Sequence, residues 1–539
     1  MKQNFLKFAL AASVLITTVG CSKLDDSLGS GQSTPGSGQG TPGSGSGTTN
    51  VAPLLKATYN DLRDPFQDQT GMWCLQEMSG DDAVGPTRGG DWDDNGIWRV
   101  LHSHQWNADH GFITSNYNRL GKIIFDATDL LRFSPTPVQA AQARFLRAFS
   151  TYSMLDGWDQ CPYREPNGAA LDNPKVRKGK EALEYIISEL NAVIGDLPAA
   201  TNPAYFVNKN AVRVLLIKCY LNKAVYLNRT APVHAAADMN QVITLADQII
   251  SSNGYTLTPN FFNNFAPNNS SLSSENIFTA ENVGGSESGN VRSRWFSTLH
   301  YNTNPSGWNG FTTLSDFYNK FDATDSRRGQ EFPGVTDVSR LRVGFLVGQQ
   351  FGYLKKNAPN ASQDSTDGSG NRIIIPLKDR KGNPLAFTPA VQLKETGANL
   401  EVTGIRVIKY PIDYTSGDNV NNDYVYYRYA DVLLMKAEAI LRGGTPTAVA
   451  PTTADAAVNM VRARAALTPM TGVTLDQLGD ERGKEFYWEG MRRTDMIRFG
   501  KFLGARILKP GISDNKYLLF PIPNQQLAVN PNLVQNPGY

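Results

Sequence analysis

Apolar residues recur at helical spacing in two blocks far apart in the chain. Any fold this chain adopts must cover the faces of both. In the first block, from about Asn116 to Gly254, Ala141, Phe145, Leu146, Phe149 and Tyr152 share a face. So do Ala211, Val212, Leu215, Leu216, Cys219 and Tyr220, and so do Val242, Ala246, Ile249 and Ile250 ahead of Gly254. In the second block, Tyr424 to Leu503, Tyr429, Val432, Leu433, Ala437 and Ile440 form a face that Gly443-Gly444 and Pro446 stop. Thr474-Leu475-Asp476-Gln477 reads as a capping box opening a further helix. Alanines at contact positions (Ala211, Ala224, Ala437, Ala439) predict stacked helix hairpins of the tetratricopeptide kind, although no clean repeat of about 34 residues is visible. Residues 256–423 differ, being rich in Asn, Gly, Ser and Pro with short apolar runs such as Arg372-Ile373-Ile374-Ile375. Long ordered loops on a helical scaffold carry function. The expected fold is mainly α, with helix hairpins packed against a loop-rich region that has a few short strands.

The chain begins with Lys2 and Lys7, then an uncharged run from Phe8 to Gly20. That is the pattern of a signal peptide, and the run is shorter than the ~20 apolar residues a bilayer span needs. It ends in Val19-Gly20-Cys21, which resembles a lipobox with Thr18 where leucine is usual. Cleavage before Cys21 and acylation of that cysteine, palmitate included, are expected. The alternative is an ordinary signal peptide cut near Gly20. Several acyl chains anchor a protein where one barely holds. The following Ser22-Lys23-Leu24-Asp25-Asp26 resembles the acidic signal that sends lipoproteins to the cell surface. Residues 27–50 are almost wholly Gly, Ser, Thr, Pro and Gln, a flexible tether spanning roughly 25 Å as a random coil.

The formal charge is +2, and residues 1–20 carry two lysines and no acid, so the remainder is formally neutral. No basic stripe marks a nucleic-acid partner. Cys74, Cys161 and Cys219 follow Cys21, an odd number at spacings that match no zinc site. Cys219 lies in a helical apolar pattern and reads as a buried small hydrophobe. Pairing of Cys74 with Cys161 stays open.

Two clusters combine aromatic rings with directional polar groups. In the loop from Ser79 to Arg99, Asp91, Trp92, Asn95, Trp98 and Arg99 are the candidate ligand contacts. In the second, Arg294, Trp295, Tyr301, Trp308 and Asn309 are. A sugar calls for this mixture, because its C–H face packs on a ring while its hydroxyls need partners. The two clusters are expected to converge, and the alternative for each tryptophan is to anchor its loop to the core. Asp91 to Gly96 also fits the opening of a calcium loop, but His102 stands where the closing glutamate belongs. Adjacent carboxylates, Asp81/Asp82 and Asp93/Asp94, are poorly spaced for a glycosidase dyad, which needs ~5–10 Å across a sugar. No G-x-S-x-G elbow or H-E-x-x-H pair is present, and His102, His104 and His110 are weak metal candidates. These absences argue against an enzyme, and no cofactor is implied.

Several long motifs resemble the SusD/RagB family. They are Arg428 to Ala439 (RYADVLLMKAEA), Asn459 to Ala465, Glu481 to Phe486 with Glu489 to Gly500, and the C-terminal Tyr517 to Pro523 with Asn530 to Tyr539. Ala143 to Phe149 with Asp156-Gly157-Trp158 is similar to a further family element, though Asp159-Gln160-Cys161-Pro162 departs from the usual glycine-containing turn. The resemblance covers residues 51–539. It implies a lipid-anchored outer-membrane protein, without catalytic activity, that sits as a lid on a SusC-like TonB-dependent barrel and captures glycans or, in some members, peptides. A structural lid with little affinity is a third possibility. The charged residues within these motifs are expected to form buried or helix-end ion pairs. The resulting organisation is a signal peptide at 1–20, a lipidated tether at 21–50 and one globular domain at 51–539. That domain divides into a helical half (51–255), a loop-rich ligand region (256–423) and a second helical half with its closing segment (424–539).

Overall fold

The computed structural model describes residues 50–539, apart from 169–171, 201–202 and 358–359. The expected signal peptide, Cys21 and most of the expected tether lie outside the described residues. Five long helices follow one another: Gly111–Leu130, Pro137–Trp158, Gly179–Val193, Lys209–Leu227 and Ala236–Ile250, each packing on the next. Their ends are written locally. His110 caps the first through its side chain, Thr136 and Gln139 form a capping box with Pro137 behind it, and Asn208 caps the fourth. The stack then takes its next layer from the far end of the chain. Tyr429–Leu441 packs on Ala236–Ile250 and on Ala454–Arg464, and Leu475–Phe486 packs against it. Ala211, Ala437 and Ala439 are fully buried within these helices. This is a mainly α fold of tetratricopeptide-like hairpins, interrupted by one long excursion.

Within that excursion the strands are short. Asn276–Ala280 pairs antiparallel with Tyr424–Arg428, and Arg406–Ile408, Val343–Leu346 and Gly329–Gln330 form a three-stranded sheet. The Ile373-Ile374-Ile375 run supplies part of Ile374–Pro376, which pairs with Phe351–Tyr353. Thr87–Arg88 pairs in parallel with Lys394–Glu395, which stitches the N-terminal loop to the excursion.

Charged residues in the C-terminal motifs are buried and paired. Glu485 receives Arg428 at 2.6 Å and Arg327 at 2.9 Å, and Arg464 as well. Burial alone would raise its pKa, but the three guanidiniums hold the carboxyl well below the usual range. Arg482 joins Asp431 and Asp495, both at 2.8 Å, and Arg498 joins Glu438 at 2.8 Å. Such pairs offset the cost of burying each charge and make removal of any single partner expensive.

The closing segment returns to the end of Pro137–Trp158. The amide of Phe520 donates to the Gly157 carbonyl (2.8 Å), and Asn536 Nδ2 donates to the carbonyls of Trp158 (2.9 Å) and Phe520 (2.8 Å). Asp159 holds the left-handed C-cap conformation (φ 64°) and pairs with Arg229 at 3.0 Å. Asp is one of the few residues that tolerates this region. Cys74, Cys161 and Cys219 are buried free thiols, so Cys74 and Cys161 do not pair.

Candidate functional site

The two candidate loops meet. Trp92 Nε1 donates to the Trp308 carbonyl at 3.0 Å, and the Tyr301 hydroxyl donates to Asp91 Oδ2 at 3.2 Å. Trp308 lies 45% exposed, with its ring 6.0 Å from Trp92 and 4.8 Å from Phe296. Together Trp92, Trp308 and Phe296 make an aromatic ledge.

Local backbone chemistry holds the ledge. Trp92 has φ 59°, a left-handed conformation that costs a side chain about 1–2 kcal/mol. Gly310 makes room for it, since a Cβ there would stand 2.3 Å from the Trp92 ring. Behind the ledge a column of rings runs into the core: Phe311 lies 4.7 Å from Trp92, Trp73 stacks on Phe311 at 5.8 Å, and Trp488 meets Trp73 at 5.0 Å. A platform supported this way loses little freedom when a ligand docks.

Beside the ledge lies a cleft of about 260 Å³ bordered by Asp91, Arg380, Lys381 and Glu401. Arg380 lies over the Tyr301 ring at 4.0 Å and donates to Glu401 at 2.6 Å. His300, fully buried, contacts the other oxygen of Glu401 through Nε2 at 2.8 Å, while its Nδ1 accepts the Asn302 amide. That arrangement places the ring proton on Nε2, and burial pushes the imidazole pKa below its ordinary value despite Glu401. Burial would raise the Glu401 pKa, but hydrogen bonds from the Arg380 backbone and guanidinium and from His300 hold it down. Asp91 and Arg380 keep about half of their side chains exposed.

Other expected contacts are withdrawn from the surface. Asn309, 1% exposed, occupies a left-handed turn position (φ 53°), and its Oδ1 accepts Arg406 at 2.7 Å. The Arg88 guanidinium spans the same turn, donating to the carbonyls of Asn309 (2.9 Å) and Gly310 (3.2 Å), and burial lowers its pKa to about 10. Asn309 therefore shapes the turn that presents Trp308. Arg294 and Trp295 are buried because they lie on the inner face of Ser293–Phe296. Arg294 donates to the Phe66 carbonyl at 2.9 Å and sits over Trp73, and the outward ring is Phe296. Trp98 is buried under Trp92 and Phe311, with Nε1 donating to Asp94 at 2.8 Å. Arg99 turns back onto Asp93 at 2.8 Å, and Asn95 stands exposed at the loop tip. Neither bonds to the 300–309 loop. Asp91, Trp92, Tyr301 and Trp308 are thus the candidates gathered at one surface.

The sequence reading missed Phe296, Arg380, Lys381 and Glu401. Asp379-Arg380-Lys381-Gly382-Asn383 is a legible turn, with Asp379 Oδ1 accepting the amides of Lys381 (2.9 Å) and Asn383 (2.8 Å). Nothing local says where its tip lands. The assembled surface suits a ligand with a flat C–H face and a hydroxyl-bearing edge: the rings take the first, and Asp91, Arg380 and Glu401 face the second.

Comparison with known proteins adds the following. The family model described as "SusD family" matches residues 273–539. The starch-binding protein SusD of Bacteroides thetaiotaomicron is 26% identical over 489 residues, covering 83% of this chain and 82% of that protein. SusD-like protein P2 of Formosa agariphila is 24% identical, covering 74% of each. Among solved structures, a SusD superfamily protein from Parabacteroides distasonis superimposes with a TM-score of 0.69 at 18% identity, covering 91% of this chain and 98% of that one. Surface glycan-binding protein A of Bacteroides thetaiotaomicron, in complex with laminarihexaose, gives 0.65 at 20% identity, covering 90% and 98%.

Proposed function

Because this chain belongs to the SusD family, we propose that it is a lipid-anchored protein of the outer-membrane surface that captures oligosaccharides and passes them unaltered to a SusC-like TonB-dependent barrel. The observation that carries this reading is the Trp92–Trp308 ledge beside the Asp91–Tyr301–Arg380 edge. Residues 1–20 act as the cleaved leader. Acylated Cys21 anchors the chain at the membrane.

The chemistry favours capture over catalysis. Asp93 is tied to Arg99 and Asp94 to Trp98. Asp81 is buried, yet Arg492 at 2.6 Å holds its carboxyl far below the usual range. Asp82 is buried against Glu77, and burial first, then that second carboxylate, raises its pKa. Neither adjacent pair is placed to act as acid and base across a sugar. The starch and laminarihexaose named for two relatives are neutral glucans, as suits a chain with little net charge. A lid must also release its cargo, which calls for modest affinity.

Calorimetric titration of the purified chain with maltohexaose, laminarihexaose and mixed oligopeptides tests the reading. The expected result is binding of one glycan class, with affinity at the ledge weakened at least tenfold (about 1.4 kcal/mol) by Trp308→Ala and the unfolding temperature unchanged. Binding of peptides alone would make this a peptide-import subunit. Uptake that needs the protein but none of its ledge tryptophans would make it a structural lid.

A further inference from the structure

A second concave surface shares no residue with the ledge or its cleft. It lies between the Val51–Asp61 helix, the first turns of Pro137–Trp158, the turn around Tyr205 and the end of Asn276–Ala280, and encloses about 420 Å³. Its apolar wall is aromatic. Phe206, 46% exposed, packs on Tyr205 at 4.8 Å and meets Tyr59 edge-on at 6.4 Å. Tyr59 is held from behind, its hydroxyl accepting the Val207 amide at 3.2 Å.

The same groove is also lined by amides. Gln139 spends its Oε1 on the Thr136 cap at 3.0 Å, which leaves its NH2 group available. Asn60 and Gln142 line the groove, and neither makes a side-chain hydrogen bond among the described residues. The Glu281 carboxylate lies near the Tyr205 phenol, whose pKa burial and then that carboxylate raise, and it retains acceptor capacity. The two cations at the rim, Lys56 and Arg63, both turn to Glu287, at 3.8 and 3.2 Å.

These features select a ligand class. A wholly apolar ligand would strip water from the amides and return nothing. An anionic one would compete with Glu287 for the rim cations and approach Glu281. A neutral pyranose suits this lining, with its C–H face on Phe206 and Tyr205 and its hydroxyls on Gln142, Asn60 and Glu281. We infer that this groove is a second binding site for neutral oligosaccharide. Two sites on one tethered chain hold a long glycan by effective concentration, so each can remain weak enough to release. The inference stands apart from the ledge reading, because its wall and its polar groups are different.

The test is calorimetry of the full mature chain with laminarihexaose, maltohexaose and xylohexaose, in native form and with Trp308→Ala. The expected result is two sites per native chain, one of which survives Trp308→Ala. Adding Phe206→Ala or Gln142→Leu should weaken that remaining site at least tenfold, with the circular dichroism unchanged. Gln142→Leu lies on a long helix and covers the case in which Phe206→Ala disturbs its turn. Unaltered affinity in both groove variants overturns the inference, as does the absence of binding by the Trp308→Ala chain with all three probes. If Trp308→Ala binds as the native chain does while the groove variants lose binding, the ledge reading fails and the groove stands.

Discussion

The C-terminal helical block and the loop ledge are built on opposite principles. In the block, carboxylates and guanidiniums are buried against one another: Glu485 among Arg327, Arg428 and Arg464, and Asp495 between Arg482 and Arg498. On the ledge, Asp91 and Arg380 keep half of their surface in water, and Trp308 offers an open ring. A buried network makes each charge indispensable to folding. A half-exposed set costs little to keep and retains hydrogen-bonding capacity for a ligand. Stability should therefore reside in the block and affinity on the ledge, and variants can separate the two.

The sharpest separation comes from Glu485→Gln, which leaves three buried guanidiniums short of a counter-charge. It should cost about 3–5 kcal/mol in denaturant unfolding. A variant as stable as the native chain would show that the network is dispensable.

His102 tests the junction between the regions. It is fully buried after the ledge loop, its Nε2 lies 2.9 Å from the Ile507 carbonyl, and burial, helped by Arg506, lowers its pKa to about 4. The folded pKa lies below the unfolded value of 6.5. The unfolded chain therefore binds more protons between the two values, and stability present above pH 6.5 is lost as pH falls toward 4. The loss from this group should reach about 3 kcal/mol, and His102→Gln should flatten that part of a stability–pH curve. An unchanged slope would assign acid sensitivity elsewhere.

Thr474→Ala removes a cap on the helix that carries Glu485. The cost should be about 1 kcal/mol, read as a lower unfolding temperature with glycan affinity unaffected. Smallest in stability is Arg380→Gln. Exposed pairs contribute roughly 0.2–1 kcal/mol, so melting should barely move, while glycan affinity falls several-fold because Tyr301 loses its cover. Should Arg380→Gln melt early and bind normally, the division between the regions collapses.

Legibility in the sequence followed the same division. Thr474 and Gln477 form the capping box their spacing announces, and Tyr429–Leu441 ends just before the Gly443-Gly444 stop. Trp308 was recognisable because glycines and asparagine flank it. The same cluster misled at Trp295, since one step along a helix rotates a side chain by about 100°, and Trp295 is buried while Phe296 faces the ledge. Arg380 and Glu401 lie far along the chain from both clusters, so no local pattern connects them to Tyr301.

By itself, the sequence determined the helices, their caps and the pairing-prone charges of the C-terminal motifs, because a helix is decided by neighbours three and four residues away and by the residue that closes its end. The tertiary structure alone decided which aromatic rings face water, which guanidinium lies over Tyr301, and that the Asn309 side chain is tied to Arg406 within its turn. Those outcomes depend on loops whose ends are set by strands such as Thr87–Arg88 on Lys394–Glu395, contacts between residues hundreds of positions apart for which the chain carries no local signal.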